Sequence, residues 1–220
     1  NDAKMGSIDL RMIEKDGIDH PDSKANRAIR NVLANYHERP GTTQAIFSDL
    51  GVNPTTKTGF ALFHDMKQKL IAAGIPEKEI GTFSSDVTDD KREEMQNAMK
   101  RGDIRIAFGS TETLGTGANV QNKLYAIHHL DLPYVPAYVE QRDGRGWRSG
   151  NMNDPTKPAN EQQFHKYTYV QEGSADNLFL QIQATKWNFI TQYMRGKSAR
   201  SMRELDTTEI SPDEMIAAAT

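Results

Sequence analysis

Two stretches of this sequence carry residue types suited to holding phosphate groups. One is Gly109-Ser110-Thr111-Glu112-Thr113-Leu114-Gly115-Thr116-Gly117-Ala118-Asn119, and the other is Gln141-Arg142-Asp143-Gly144-Arg145-Gly146-Trp147-Arg148-Ser149-Gly150-Asn151. Glycines let a turn present backbone N–H groups to an anion, and hydroxyls add donors. Arginine offers a planar fork of donors that matches phosphate oxygens. Between the stretches lies an apolar, strand-like run over 124–132. Pro133 ends that run, and Pro136 suits the first turn of a following helix. On that helix Gln141, Arg145 and Arg148 are spaced i, i+4, i+7 and share one face. Gly144 and Gly146 weaken it, which points to close backbone approach.

The elements that must position these stretches follow from periodicity. Asp22 or Ser23 caps a helix ending near His37, with Ala28, Ile29, Val32, Leu33 and Tyr36 on one face. Strands are expected over 44–48, 80–83, 104–108, 124–132 and 164–170. An amphipathic helix fills 60–73 and ends at Gly74. Thr88 caps a charged helix that stops at Gly102. Ser174 opens a long helix to about Met194. Strands alternating with helices imply an α/β fold: a parallel sheet with helices on both faces and ligands beyond the carboxyl ends of the strands. Ser48, Ser84, Ser110 and Asp131 fall at such ends.

At 220 residues the chain fits one α/β domain with an extension, and it can bury roughly 70% of its unfolded surface. Residues 1–22 read as a connecting segment with Ile8, Leu10, Met12 and Ile13 as its apolar cluster, 23–195 as the domain, and 196–220 as a C-terminal extension. There is no cysteine, hence no disulfide framework and no thiolate chemistry. No apolar run approaches the roughly 20 residues that span a bilayer, and no signal-peptide pattern opens the chain; a cytoplasmic protein without membrane partners is expected. The chain opens at Asn1 and stops at Ala217-Ala218-Ala219-Thr220, so a piece of a longer polypeptide is expected. The net charge of −3 argues against tight autonomous nucleic-acid binding. Yet Lys186, Arg195, Lys197, Arg200 and Arg203 form a run without acids, either a solvated face or a phosphate contact.

Each feature has a bland rival. Arg142 reads as a surface residue or a partner of Asp143. Of His128 and His129, on alternate sides of a strand, at most one faces the cleft, and a satisfied core histidine is the simpler reading. Trp147 reads as packing before stacking. His64-Asp65 lacks the second histidine of a metal site, and no metal ligands are assigned. Met66, Met95 and Met99 have core spacing. There is no Gly-x-x-x-x-Gly-Lys-Ser/Thr loop to cradle phosphates, no Asp-Glu pair at a strand end to hold magnesium, and no Asn/Asp-Pro-Pro-Tyr/Phe segment of an adenine methylase.

The order Ser110-Thr111, Gly115-x-Gly117-x-Asn119, then Gln141-x-x-x-Arg145-x-x-Arg148-x-Gly150 resembles the fifth and sixth motifs of superfamily-two helicases, in their second RecA-like lobe and nearest the Swi/Snf-type branch. Ser23-Lys24, the strand to Ser48, and Phe83-x-Ser85 with Arg92 also fit. The flanks at Leu10-Arg11-Met12-Ile13 and beyond Ser201 are similar to the helicase portion of phage and plasmid DNA methylase/helicase proteins. Leu114, Trp147 and Asn151 depart from the Swi/Snf pattern.

The resemblance implies a RecA-like, P-loop NTPase-type lobe without its own P-loop. It would share ATP and Mg2+ with an N-terminal RecA-like lobe; a methylase domain fused in the same polypeptide is a further partner that the resemblance allows and leaves open. It further implies Arg148 as the finger that stabilises charge on the phosphoryl group in transit, an effect worth roughly 10³–10⁵ in rate. Arg145 would be a second phosphate contact, and Gln141 would hold the cleft or orient water. Gly115, Gly117 and Asn119 would face nucleotide and magnesium-bound water. Ser48, Ser84, Ser85, Ser110 and Thr111 would contact the DNA backbone. The alternative is the same fold kept as a nucleic-acid or protein docking module without turnover.

Overall fold

The computed structural model describes residues 2–115, 118–147, 150–151, 164–174, 176–177, 180–182 and 184–186. Five parallel strands form one sheet in the order β2-β3-β1-β4-β5. They are β1 (Thr43–Phe47), β2 (Ile80–Phe83), β3 (Ile106–Gly109), β4 (Leu124–His129) and β5 (His165–Thr168). Every residue of β1, β3 and β4 is buried, as a sheet covered on both faces requires. Ile46, Ile106 and Phe108 point to one core; Ala45, Phe47, Ala107 and Ile127 point to the other. Edge strand β5 exposes His165, Lys166 and Thr168, and charge there discourages pairing with other chains.

Helix α1 (Asp2–Ile8) and a 3₁₀ turn, Leu10–Met12, precede α2 (Lys24–Glu38). The segment expected only to connect therefore packs on the lobe: Ile8 and Met12 are fully buried in the first core. Arg11 fastens it, 2.7 Å from Asp9 and 3.0 Å from each of Asp19 and Asp65, with its guanidinium over the Phe60 ring. Helix α2 starts where expected, the Ser23 hydroxyl accepting from the Asn26 N–H at 3.2 Å. It buries Ala25, Ala28, Ile29 and Val32 at helical spacing. Helix α3 (Leu62–Ala72) joins this face through Leu62, Met66 and Leu70. On the second face, α4 (Asp89–Arg101) contributes Met99. Thr88 occupies the N-cap position of α4 but its side chain makes no capping bond. Gly102 ends that helix at φ 88°, a left-handed conformation open to glycine.

Helix α5 (Pro136–Asp143) is shorter than expected. The helix ends at Asp143, and turns at Gly144 and Arg145 follow it. The cause is at Gly146, where a Cβ would fall inside the Phe164 ring. The close approach foreseen at the glycines is therefore to the residue just before β5. Strand β4 likewise stops at His129, and the Leu130 N–H adds one last sheet-like bond to the Phe47 carbonyl at 3.0 Å. Residues 176–177, 180–182 and 184–186 are helical, within the helix expected from Ser174; its expected end near Met194 lies outside the described residues. Among the described residues no helix is long and apolar enough to cross a membrane.

The connections position the site. From β1 the chain leaves toward β2, and from β4 it leaves toward β5, on the opposite side. A crevice opens where neighbouring strands send their chains apart, at the carboxyl ends of β1 and β4.

Candidate functional site

That crevice is tied by one guanidinium. Arg142 is fully buried. Its Nη1 donates to Asp131 Oδ1 and to the Asp131 carbonyl, each at 3.0 Å. Its Nε donates to Thr111 Oγ1 at 2.8 Å, and Nη2 lies 2.8 Å from Asp49 Oδ2. Asp49 also accepts from the Thr111 N–H at 2.7 Å and hydroxyl at 2.9 Å. The Asp49 N–H donates to Asp131 Oδ2 at 3.0 Å. The ends of β1, β3 and β4 and helix α5 are thus one hydrogen-bonded unit.

The expectation that Arg142 lies on the surface or pairs with Asp143 is corrected. Asp143 instead pairs with His129 at 2.8 Å and Lys166 at 2.9 Å. Arg142 follows Pro136 and Val139 at three-residue spacing on the packed side of α5, with Pro136 buried and Val139 half-buried. That spacing, together with an acid just past the end of each of two strands, is the signal that could have found it.

The turn after β3 folds locally. Thr111–Gly115 is a π-helical turn. The Ser110 N–H donates to Thr113 Oγ1 at 2.9 Å and the Thr113 N–H to Ser110 Oγ at 3.1 Å. This is a reciprocal cap of the kind that starts helices. Gly109 permits the fold-back, since a Cβ there would lie 2.5 Å from Leu114 Cβ.

The expected DNA-contact residues divide. Ser85 is exposed and Ser84 and Ser110 are half-buried. Ser85, Ser110 and Thr111 line an open cavity of about 490 Å³ with Asp49, Asn53 and Gln141. Thr111 is buried with its hydroxyl between Asp49 and Arg142. Ser48 is fully buried and its hydroxyl bonds the Leu50 carbonyl at 2.7 Å and N–H at 3.2 Å. It shapes the loop and is out of reach of a backbone phosphate.

Among the expected nucleotide residues, Gln141 is exposed. Arg145 is 8% exposed and turned inward, donating through Nη1 to the Ala118 carbonyl at 2.5 Å. Gln141 and Arg145 therefore do not share an exposed face; the early end of α5 rotates Arg145 under the 118–119 backbone. Asn119 is exposed, and its N–H meets Gln96 Oε1 at 3.2 Å. Gly115 is buried against Arg142 and Phe47. Gly117 and Arg148 lie outside the described residues.

Both histidines are core groups. His128 is fully buried, its Nδ1 2.8 Å from the Tyr169 hydroxyl and its Nε2 3.0 Å from Gln44 Oε1. Burial and the neighbouring His129 push it down to about 3. His129 is also lowered by burial, against the opposing pull of Asp143. Burial alone would raise the Asp143 carboxyl, but His129 and Lys166 outweigh it and hold it below the usual range. Trp147 packs its edge against Phe164, as expected, while remaining 56% exposed.

The exposed amides of Gln141 and Asn119 suit phosphate oxygens, whereas the Arg145 guanidinium is spent on backbone carbonyls. For a divalent cation the described residues offer no group of three or more His, Asp or Glu. They fit a nucleotide's phosphates better than they fit its metal.

A parallel α/β sheet whose glycine-bearing turn and arginine-bearing helix are knotted at the carboxyl edge is a RecA-like lobe of the helicase type. Residues 42–150 match the helicase conserved C-terminal domain, and this part of the chain belongs to that family: it is the C-terminal lobe of a superfamily-two helicase. Over 102 residues the chain is 29% identical to the "Defense against restriction protein B" of Escherichia phage P1, a stretch that is 46% of this chain and 4% of the phage protein. The crystal structure of the C-terminal part of the Fun30 ATPase domain is similar with a TM-score of 0.55 at 16% identity, over 74% of this chain and 46% of that one. At that identity the likeness is one of fold. Complete enzymes of this family use ATP with Mg2+ and pair this lobe with an N-terminal one.

Proposed function

We propose that the chain is the second motor lobe of an ATP-dependent DNA helicase or translocase, completed by a P-loop lobe and a methylase domain of the same polypeptide. The observation that carries this reading is the Arg142 unit, which joins the Ser110–Thr111 end of one helicase motif to the helix bearing the other. Movement of either motif is thereby passed to its neighbour through packed, hydrogen-bonded groups.

When bound, Mg·ATP supplies the phosphoryl transfer. This lobe's residues orient and neutralise. Arg148 would serve as the finger toward the γ-phosphoryl group, and Gln141 would hold the cleft. Asn119 and Gly117 would approach the nucleotide, Gly115 packs the turn against Arg142, and Arg145 holds the 118–119 backbone in place. Ser84, Ser85 and Ser110 meet the DNA backbone. The lobe proper runs over 23–195, with α1 docked upon it.

The second reading, a docking module without turnover, is favoured by the burial of Arg145, which withholds one of the two guanidinium groups.

The purified chain tests the proposal. It should bind DNA at low salt, weakening as salt rises, and show no ATP turnover with or without DNA. DNA-dependent hydrolysis by the chain alone, or no DNA binding at any salt, would refute it.

A further inference from the structure

The open cavity beside the Arg142 unit carries negative charge on its lining as well as neutral hydrogen-bonding groups. Asp49 and Glu112 line it, and among the described residues no lysine or arginine does. Its other walls are amide, hydroxyl and aromatic: Asn53, Ser85, Ser110 and Tyr138. Two carboxylates repel an anion, whereas a neutral planar ring with a hydrogen-bonding edge meets partners on each side. Asp49 is committed to Thr111 and Arg142. Glu112 is exposed and is the acceptor within reach of an occupant.

Tyr138 supplies a flat wall. It is 46% exposed, and among the described residues its side chain has no hydrogen bond and no ring partner. Its neighbour Tyr134 differs, with Lys186 Nζ lying 3.3 Å over the ring. The large aromatics of the sheet itself, Phe47, Phe83 and Phe108, are fully buried.

We propose that this cavity takes one unstacked nucleobase of a DNA strand, with the base stacked on Tyr138 and its edge read by Asn53 and Glu112. The inference rests on the nucleic-acid-binding reading above and deepens it. Ser85 and Ser110, on the cavity lining, hold the flanking phosphates while the base turns inward. A carboxylate accepts from the exocyclic amine of cytosine or adenine and faces only carbonyl lone pairs on thymine. The cavity therefore prefers single-stranded cytosine or adenine. A paired base, stacked within the duplex, cannot enter without first being extruded.

Fluorescence anisotropy of the full chain with labelled oligo(dC), oligo(dA), oligo(dT) and a mixed duplex, at low salt, tests this. Oligo(dC) and oligo(dA) should bind more tightly than oligo(dT). Tyr138→Ala should weaken single-strand binding by roughly 5- to 150-fold, the worth of one base–aromatic stack, and leave duplex binding unchanged. Tyr138→Phe should retain wild-type affinity, and Glu112→Gln should abolish the preference over oligo(dT). Normal duplex binding with no effect of Tyr138→Ala on single strands would overturn the base pocket and leave the lobe reading standing. An effect of Tyr138→Ala confined to ATP binding would assign the ring to the nucleotide and also overturn it. Failure to bind any oligonucleotide would remove both.

Discussion

Two buried polar networks cross the sheet, and they are built on opposite principles. At the carboxyl edge the Arg142 unit is ionic: one guanidinium, two carboxylates and a threonine. In mid-sheet the network is neutral. His128 bridges Gln44 and Tyr169, Asn31 donates to Tyr169, and Asn35 donates to Gln44. Tyr167 donates to Asn35 and stacks on the His128 ring at 4.7 Å. Gln44 Oε1 accepts from Asn35, so His128 carries its proton on Nε2 and accepts the Tyr169 hydroxyl at Nδ1. The neutral network settles register and packing within the core. The ionic one joins segments that diverge from the crevice. A buried ion pair is a poor way to gain stability, so its presence at this edge points to the need to hold two motifs in one geometry.

Arg142→Met gives the largest contrast. It strands Asp131, which is buried, beside a half-covered Asp49. Loss of one partner of such a pair costs about 3–5 kcal/mol, read by chemical denaturation. A loss under about 1 kcal/mol would show the unit to be loosely solvated and end the contrast.

Gln44→Ala probes the neutral network and should cost about 1–3 kcal/mol per stranded polar group, less than Arg142→Met. The reverse ranking would exchange the roles given to the two networks.

The neutral network also carries a pH signature. His128 has an ordinary value of 6.5 that burial brings to about 3. Below pH 6.5 the unfolded chain binds a proton that the folded chain refuses, so unfolding takes up a proton and stability falls with pH through that window. The slope approaches about 1.4 kcal/mol per pH unit from this group, and His129, also lowered, adds in the same direction. His128→Gln should lower stability at pH 8 yet flatten the decline between pH 6 and pH 4.

The smallest effect lies outside both networks. Ser23→Ala removes the α2 cap and should cost about 1 kcal/mol, without altering the pH slope.

Much of the fold was legible because strand and helix patterns are local. Ile80–Phe83 was read with its observed bounds, and Ser23, one of two candidate caps with Asp22, proves to be the cap. The segment 1–22 was underrated, because Ile8 and Met12 have a core to join only once α2 and α3 are in place. At the site, of the residues assigned to the DNA backbone, Ser85, Ser110 and Thr111 line one cavity, while Ser48 and Ser84 are not on its lining. Arg142 was misread because its partners come from three separate strand ends, Thr111 lying 31 positions away and Asp49 farther still, so the three-residue spacing on α5 gains its meaning only once those ends meet. Arg145 and Gln141 were placed on one face by extending a helix that Phe164, arriving from a distant segment, cuts short at Gly146.

The most direct measurement is DNA-stimulated ATP hydrolysis by a polypeptide joining this lobe to its P-loop lobe, comparing wild type with Arg148→Ala. Wild type is expected to hydrolyse ATP faster with DNA, and the variant to lose roughly 10³–10⁵ of that rate while still binding DNA. Undiminished DNA-stimulated turnover in Arg148→Ala would contradict the assignment of this lobe as the supplier of the finger.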